Sequence, residues 1–171
     1  RVRVSAIKAL QALDAKEAVT GMMLLLHDNN AEIRSMALSL LRTVKAEEAV
    51  PEMIPLLRDG NPGVRINAIA ALEELRGEQA VPEMLPLLND SVGSVRLQAI
   101  DSLSRLQKEE FIPHIASLLH DKDERVQTRA LELLAEIHRK NAVIPEKETI
   151  AEVAALLQSP NKNLRAKAAA A

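Results

Sequence analysis

The chain repeats itself every 31 residues, and that period limits the folds open to it more than any other feature. Asp28, Asp59, Asp90 and Asp121 stand one period apart, and so do Arg3, Arg34, Arg65 and Arg96. A small-residue column (Ala6, Ala37, Ala68, Ala99, Ala130) keeps the same step, as do two aliphatic columns, Leu10/Leu41/Leu72/Leu103/Leu134 and Leu13/Val44/Leu75/Leu106/Ile137. Pro51, Pro82 and Pro113 mark it once more. A unit this short forms one supersecondary element that cannot bury its own apolar face, so successive units must stack into a one-dimensional array.

Each unit holds two helical patterns. In the second, Val64, Ala68, Leu72 and Leu75 recur at the spacing of one stripe of an α-helix. Alanine at position 68 suits a place where two helices approach closely. The first pattern runs from Ala49 to Arg58, with Val50, Met53, Ile54 and Leu57 apolar. Pro51 lies near its start, where a missing N–H costs nothing. Pro55 falls where it removes a helical hydrogen bond, which predicts a bend. Asp59-Gly60-Asn61-Pro62-Gly63 then forms a turn between the two helices. With Phe111 the single aromatic among 171 residues, the core must be aliphatic.

The register predicts an all-α fold without a β-sheet: a right-handed α-solenoid of antiparallel hairpins with about 11 helices. It comprises a lone helix over 1–13 and repeats over about 15–44, 47–76, 78–107, 108–138 and 149–171. The step from Asp121 to Ser159 is seven residues longer than the period, which places a longer loop over 139–148. Thr149 and Glu152 form a capping box that restarts the helix. Both ends fall inside a repeat, so the chain is expected to be a fragment of a longer protein.

The pattern P-x-x-x-x-L-L-x-D followed by V-R-x-x-A-x-x-x-L-x-x-L, carried by Pro51, Leu56, Leu57, Asp59, Val64, Arg65, Ala68, Leu72 and Leu75, resembles the HEAT repeat signature. The short unit is similar to the HEAT-like repeats of phycobilisome lyases. Tetratricopeptide and ankyrin units, at 34 and 33 residues, fit less well. The first lacks its aromatic positions here and the second its T-P-L-H segment. The resemblance implies a second helix that lines a concave face and a structural Asp–Arg ladder through the turns. Asp28, Asp59 and Asp90 match it with Arg34, Arg65 and Arg96, and the ladder breaks at Gln127 and Ser159.

No catalytic or metal chemistry emerges from the residues. Cysteine is absent, which removes thiolate ligands and disulfides. His27 and His120 share a column, but three repeats put them on the order of 30 Å apart. His114 and His120 fall on different helix faces, and His138 reads as a surface residue. Deoxyhypusine hydroxylases resemble this fold and bind iron through His-Glu pairs, a dipeptide missing here. There is no phosphate loop, nucleophile elbow or HExxH motif. Glu47-Glu48, Glu73-Glu74 and Glu109-Glu110 read as solvated helix ends. A bilin lyase-like role is the weaker alternative, since aromatics that would stack on a tetrapyrrole are lacking.

In an array of this kind, function is expected in columns that vary over a constant core. Three such columns on the second helix read Ser5/Met36/Asn67/Gln98/Arg129, Lys8/Ser39/Ala70/Asp101/Glu132 and Ala12/Thr43/Glu74/Arg105/Glu136. Asn67, Gln98, Asp101, Arg105, Arg129 and Glu132 are therefore the candidate protein-binding residues of a polar concave groove. The 22 basic and 24 acidic residues nearly cancel, and no basic stripe crosses these columns, so a nucleic-acid partner is not expected. The longest apolar run, Met22–Leu26, falls far short of the ~20 residues of a membrane span. The chain starts at Arg1, and no signal peptide is visible. The expectation is a cytoplasmic, monomeric, non-enzymatic scaffold without cofactor or metal. The alternative is a regulatory segment of a larger enzyme or transporter.

Overall fold

The computed structural model describes residues 15–75, 78–106, 111–141, 147–159 and 162–170. Among them are ten α-helices and no strand: α1 (Ala15–Leu25), α2 (Ala31–Thr43), α3 (Val50–Met53), α4 (Pro62–Glu74), α5 (Val81–Met84), α6 (Gly93–Arg105), α7 (Ile112–Ser117), α8 (Glu124–Asn141), α9 (Lys147–Leu156) and α10 (Lys162–Ala170). They make an all-α repeat solenoid of five hairpins, and the lone helix expected over 1–13 lies outside the described residues. Two compact units divide the chain, Arg1–Leu106 and Gln107–Ala171.

Proline shapes the first helix of each hairpin. Around α3, the turns at Glu47–Ala49 and Ile54–Arg58 are 3₁₀, and α5 is flanked in the same way by Glu78–Ala80 and Leu85–Asn89. Pro55 and Pro86 have no N–H to give to the carbonyl four residues back, so the α-ladder stops and the chain tightens into 3₁₀ turns. In α7, Ser117 stands at that position, and the α-helix lasts to it before a 3₁₀ turn at Leu118–His120. The bend expected at Pro55 thus takes the form of a change of helix type.

Three of the second helices, α2, α4 and α8, start on side-chain caps. Asn30 Oδ1 accepts from the Glu32 amide at 2.9 Å, and Asn61 Oδ1 accepts from Gly63 at 2.8 Å and Val64 at 3.3 Å. A Cβ on Gly63 would lie 3.0 Å from that same oxygen, a tight contact. Asp123 Oδ1 serves α8, accepting from the Arg125 amide at 3.0 Å. Val92 precedes α6 without a capping side chain. Each cap satisfies N–H groups that a helix start leaves without partners.

In the first unit α2 packs on α4 and α4 on α6. The predicted core columns are buried there: Ala37, Ala68, Ala99, Leu41, Leu72 and Leu103 are fully enclosed. Burial of the leucines, at ~1.5–3 kcal/mol each, helps to hold neighbouring hairpins together. In the second unit Phe111, Ile115, Leu119, Val126, Ala130 and Leu131 form the core. Here α8 extends to Asn141 and α9 begins at Lys147. Helix therefore covers both ends of the loop expected over 139–148. The side chains of the Thr149/Glu152 capping box lie outside the described residues.

The ladder residues link hairpins more specifically than a contact within each turn. Arg34 donates from Nη1 to its own repeat's Asp28 carbonyl oxygen at 2.7 Å, then grips the next repeat's Asp59 with Nε at 2.6 Å and Nη2 at 2.8 Å. Arg65 repeats the scheme, with Nη1 to Asp59 O at 2.7 Å and Nη2 to Asp90 Oδ1 at 2.7 Å. Arg96 Nη1 donates to Asp90 O at 2.6 Å. Each aspartate also closes its turn by accepting from the amide two residues on: Asn30 for Asp28, Asn61 for Asp59, Val92 for Asp90 and Asp123 for Asp121, at 2.7–2.9 Å. Burial pushes the Asp59 carboxyl up, but hydrogen bonds from Arg34 and the Asn61 amide and the charges of Arg34 and Arg65 outweigh it and hold its pKa below the ordinary value. The same hydrogen bond to Asp59 raises Arg34, against the opposing effect of burial.

Candidate functional site

The six candidate residues divide between the two units. Asn67 is on α4, and Gln98, Asp101 and Arg105 are on α6; the first three are partly exposed and Arg105 is exposed. Arg129 and Glu132 lie on α8 and are partly exposed. None of the six is buried.

In the first unit a polar chain crosses from α6 to α4. Gln98 Nε2 donates to Ser102 Oγ at 3.1 Å, and that hydroxyl donates to Glu73 Oε2 at 2.5 Å. Arg105 Nη1 closes the group from the other side, 3.0 Å from Glu73 Oε1 and 3.2 Å from Oε2. The hydrogen bond that Arg105 donates to Glu73, and then the charge of Glu73, raise the Arg105 pKa; burial opposes them and Asp101 adds a smaller increase. Nearby, Arg42 of α2 lies 3.4 Å from Glu74 of α4. Side chains thus tie three successive second helices together along this surface.

Two members of this group escaped the sequence reading. Glu73, taken as a solvated helix end, has a side chain only 14% exposed. Ser102 is fully buried. One signal was present: position 102 belongs to a column that otherwise reads Leu40, Ala71 and Leu133, so a serine there needed a hydrogen-bond partner. Because Ser102 is enclosed, its hydroxyl presents no nucleophile to solvent.

In the second unit Arg129 Nη1 lies 3.8 Å from both Glu132 Oε2 and Glu136 Oε1, and Glu132 Oε1 is bonded to Lys167 Nζ of α10. The candidate carboxylate is therefore already engaged within the chain. His27 meets Glu52 at 3.3 Å with both side chains substantially exposed, and His114 and His120 are exposed. The side chain of His138 is outside the described residues. Among the described residues, no group of three or more His, Asp or Glu could hold a metal ion, and no helix is long and apolar enough to cross a membrane.

The surface is chemically suited to contact by hydrogen bonds and charge. It offers carboxamides, carboxylates and guanidiniums on helices, with Gln98 and Arg105 tied to the buried Ser102 and the largely covered Glu73. Sequence comparison matches residues 20–104 and 50–135 to the family described as HEAT repeats. No curated protein matches the chain by sequence. Among solved structures, it resembles the complex of CpcE and CpcF of phycocyanin lyase from Nostoc sp. PCC7120, at 24% identity and a TM-score of 0.64, covering 86% of this chain and 61% of that one. It also resembles computationally designed armadillo repeat proteins for modular peptide recognition, at 20% identity and a TM-score of 0.64 over 95% of this chain and 84% of that one. A designed armadillo repeat protein in complex with the peptide (KR)4 matches at 18% identity and a TM-score of 0.61, again over 95% and 84%.

Proposed function

The chain belongs to the HEAT repeat family, and from that premise we propose that it is a non-enzymatic, cytoplasmic protein-binding segment. Its working surface is the exposed face of the second helices: Asn67, Gln98, Asp101 and Arg105 in the first unit, Arg129 and Glu132 in the second. The observation that carries this reading is the contrast between layers. Beneath the face, Ala37, Ala68 and Ala99 and Leu41, Leu72 and Leu103 repeat without change and are fully buried. On the face, Met36, Asn67 and Gln98 differ from repeat to repeat, as do Ser39, Ala70 and Asp101. A constant core under a varied polar surface is how a solenoid separates stability from recognition. Two of the similar structures support the reading by what they contain, a two-protein complex and a bound peptide.

The test is affinity capture from the native lysate, with the parent chain beside the charge reversal Asp101→Arg/Glu132→Arg. A specific protein held by the parent and lost by the variant supports the face as the binding surface. The same protein held equally by both contradicts it. The likeness to CpcE and CpcF favours one second reading, a subunit of a lyase that acts on bilins. That reading requires a change in visible absorbance when the chain meets a linear tetrapyrrole, and an unchanged spectrum argues against it.

A further inference from the structure

The rungs between hairpins are not chemically uniform. Arg34 and Arg65 each place a guanidinium on the aspartate 25 residues ahead, with side chains 16% and 6% exposed in one pair and 11% and 8% in the other. The main-chain half of every rung persists into the second unit. Gln127 Nε2 donates to Asp121 O at 2.6 Å and Arg165 Nη1 to Ser159 O at 2.8 Å, as Arg34, Arg65 and Arg96 do to the carbonyls of Asp28, Asp59 and Asp90. These contacts fix the register across the seven-residue insertion. Gln127 occupies the arginine position of the α7–α8 hairpin, and Ser159 occupies the aspartate position of the α9–α10 hairpin. What reads in sequence as two separate departures is the two ends of a single rung, which has lost its cation and its anion together.

An amide and a hydroxyl in place of a guanidinium and a carboxylate bring no charge and no bidentate geometry. One ion pair between α10 and α8, Lys167 with Glu132, is 40% and 38% exposed, and such a pair contributes little.

We propose that the step between α7–α8 and α9–α10 is a built-in seam, at which α9–α10 opens from α8 while the hairpins of the first unit stay closed. Opening releases the Glu132 carboxylate from Lys167. The seam is set by the neutral rung, so restoring the rung closes it.

Amide hydrogen exchange read by mass spectrometry on the whole chain tests this. Amides of α9 and α10 exchange faster than those of α4 and α6, and Gln127→Arg/Ser159→Asp slows them by about tenfold, the worth of one hydrogen bond to a charged group. Gln127→Arg alone does not, since it adds a guanidinium without its carboxylate. The converse variant, Arg34→Gln/Asp59→Ser, moves the neutral rung into the first unit and speeds exchange in α2. Equal protection of α10 and α4 in the parent overturns the proposal. So does a double variant whose α9–α10 exchange is unchanged, the behaviour of simple fraying, or a converse variant with unchanged exchange in α2.

Discussion

Arg34 places Nε and Nη2 on the two oxygens of Asp59, whereas Arg65 reaches Asp90 with Nη2 and leaves its buried Nε without a hydrogen-bond partner. Two arginines one period apart thus stabilise the stack by different amounts. Lysine has one nitrogen and cannot reproduce the fork, so Arg34→Lys forfeits a charged hydrogen bond that Arg65→Lys does not. Arg34→Lys is expected to be more destabilising by about 1–2 kcal/mol, read as the difference in urea midpoints at unchanged slope; an equal or larger loss for Arg65→Lys contradicts the geometry. Asp59 gives a second prediction. Its pKa is depressed in the folded chain, so the stability it contributes is fully present above the unfolded value of about 4 and is lost as pH falls through the folded value. The stability difference between the parent and Asp59→Asn should be constant from neutral pH to about pH 5 and shrink below about pH 4. A difference that persists unchanged into that acid range contradicts it. The ladder was legible in sequence as two columns, but its wiring was not. Sequence pairs Arg34 with Asp28, six residues away, whereas the carboxylate it holds belongs to the next repeat.

Helix type and helix ends show what sequence patterns carry at the scale of an element. Prolines at 55 and 86, four residues after Pro51 and Pro82, mark where the first helices pass into 3₁₀ turns; with serine at 117 the α-helix lasts to that position and the 3₁₀ turn begins at Leu118. The C-terminus of α2 was not legible. There Lys45 adopts φ 55°, with its amide on Arg42 O at 3.1 Å and the Ala46 amide on Leu41 O at 3.0 Å, a left-handed cap normally given to glycine. Nothing about lysine announces that conformation. Lys45→Gly is expected to stabilise the chain by up to about 1 kcal/mol by relieving it, seen as a higher thermal midpoint; a lower midpoint would show that the lysine side chain contributes more than the backbone strain costs. The Gln98–Ser102–Glu73–Arg105 group was half legible. Gln98 and Arg105 stand in varying columns, but Glu73 is one position off such a column and reads as solvated. Only the packing of α4 on α6 shows that its carboxylate is covered.

Across the whole molecule the 31-residue period settles the all-α repeat architecture, and the alanine column that keeps the period also keeps its burial: Ala37, Ala68, Ala99 and Ala130 are all enclosed, whereas Val44 in the second aliphatic column is half exposed. What the period could not give is where regularity fails. The seven extra residues before Ser159 read as a loop, yet helix extends into that stretch from both sides. Insertion length alone does not say whether residues continue an amphipathic stripe or leave it. Function is legible only as a contrast between constant and varying columns, since recognition depends on a partner's chemistry that no column encodes. The central claim, that binding uses the second-helix face, is tested most directly by titrating the captured partner into three forms of the chain by calorimetry: the parent, the face variant Asn67→Arg/Asp101→Arg, and the first-helix variant Glu52→Arg/Glu83→Arg. The account predicts a loss of about tenfold or more in affinity for the face variant, as for truncation of a central contact, and no change for the first-helix variant. Full affinity in the face variant, with the loss in the first-helix variant instead, would contradict it.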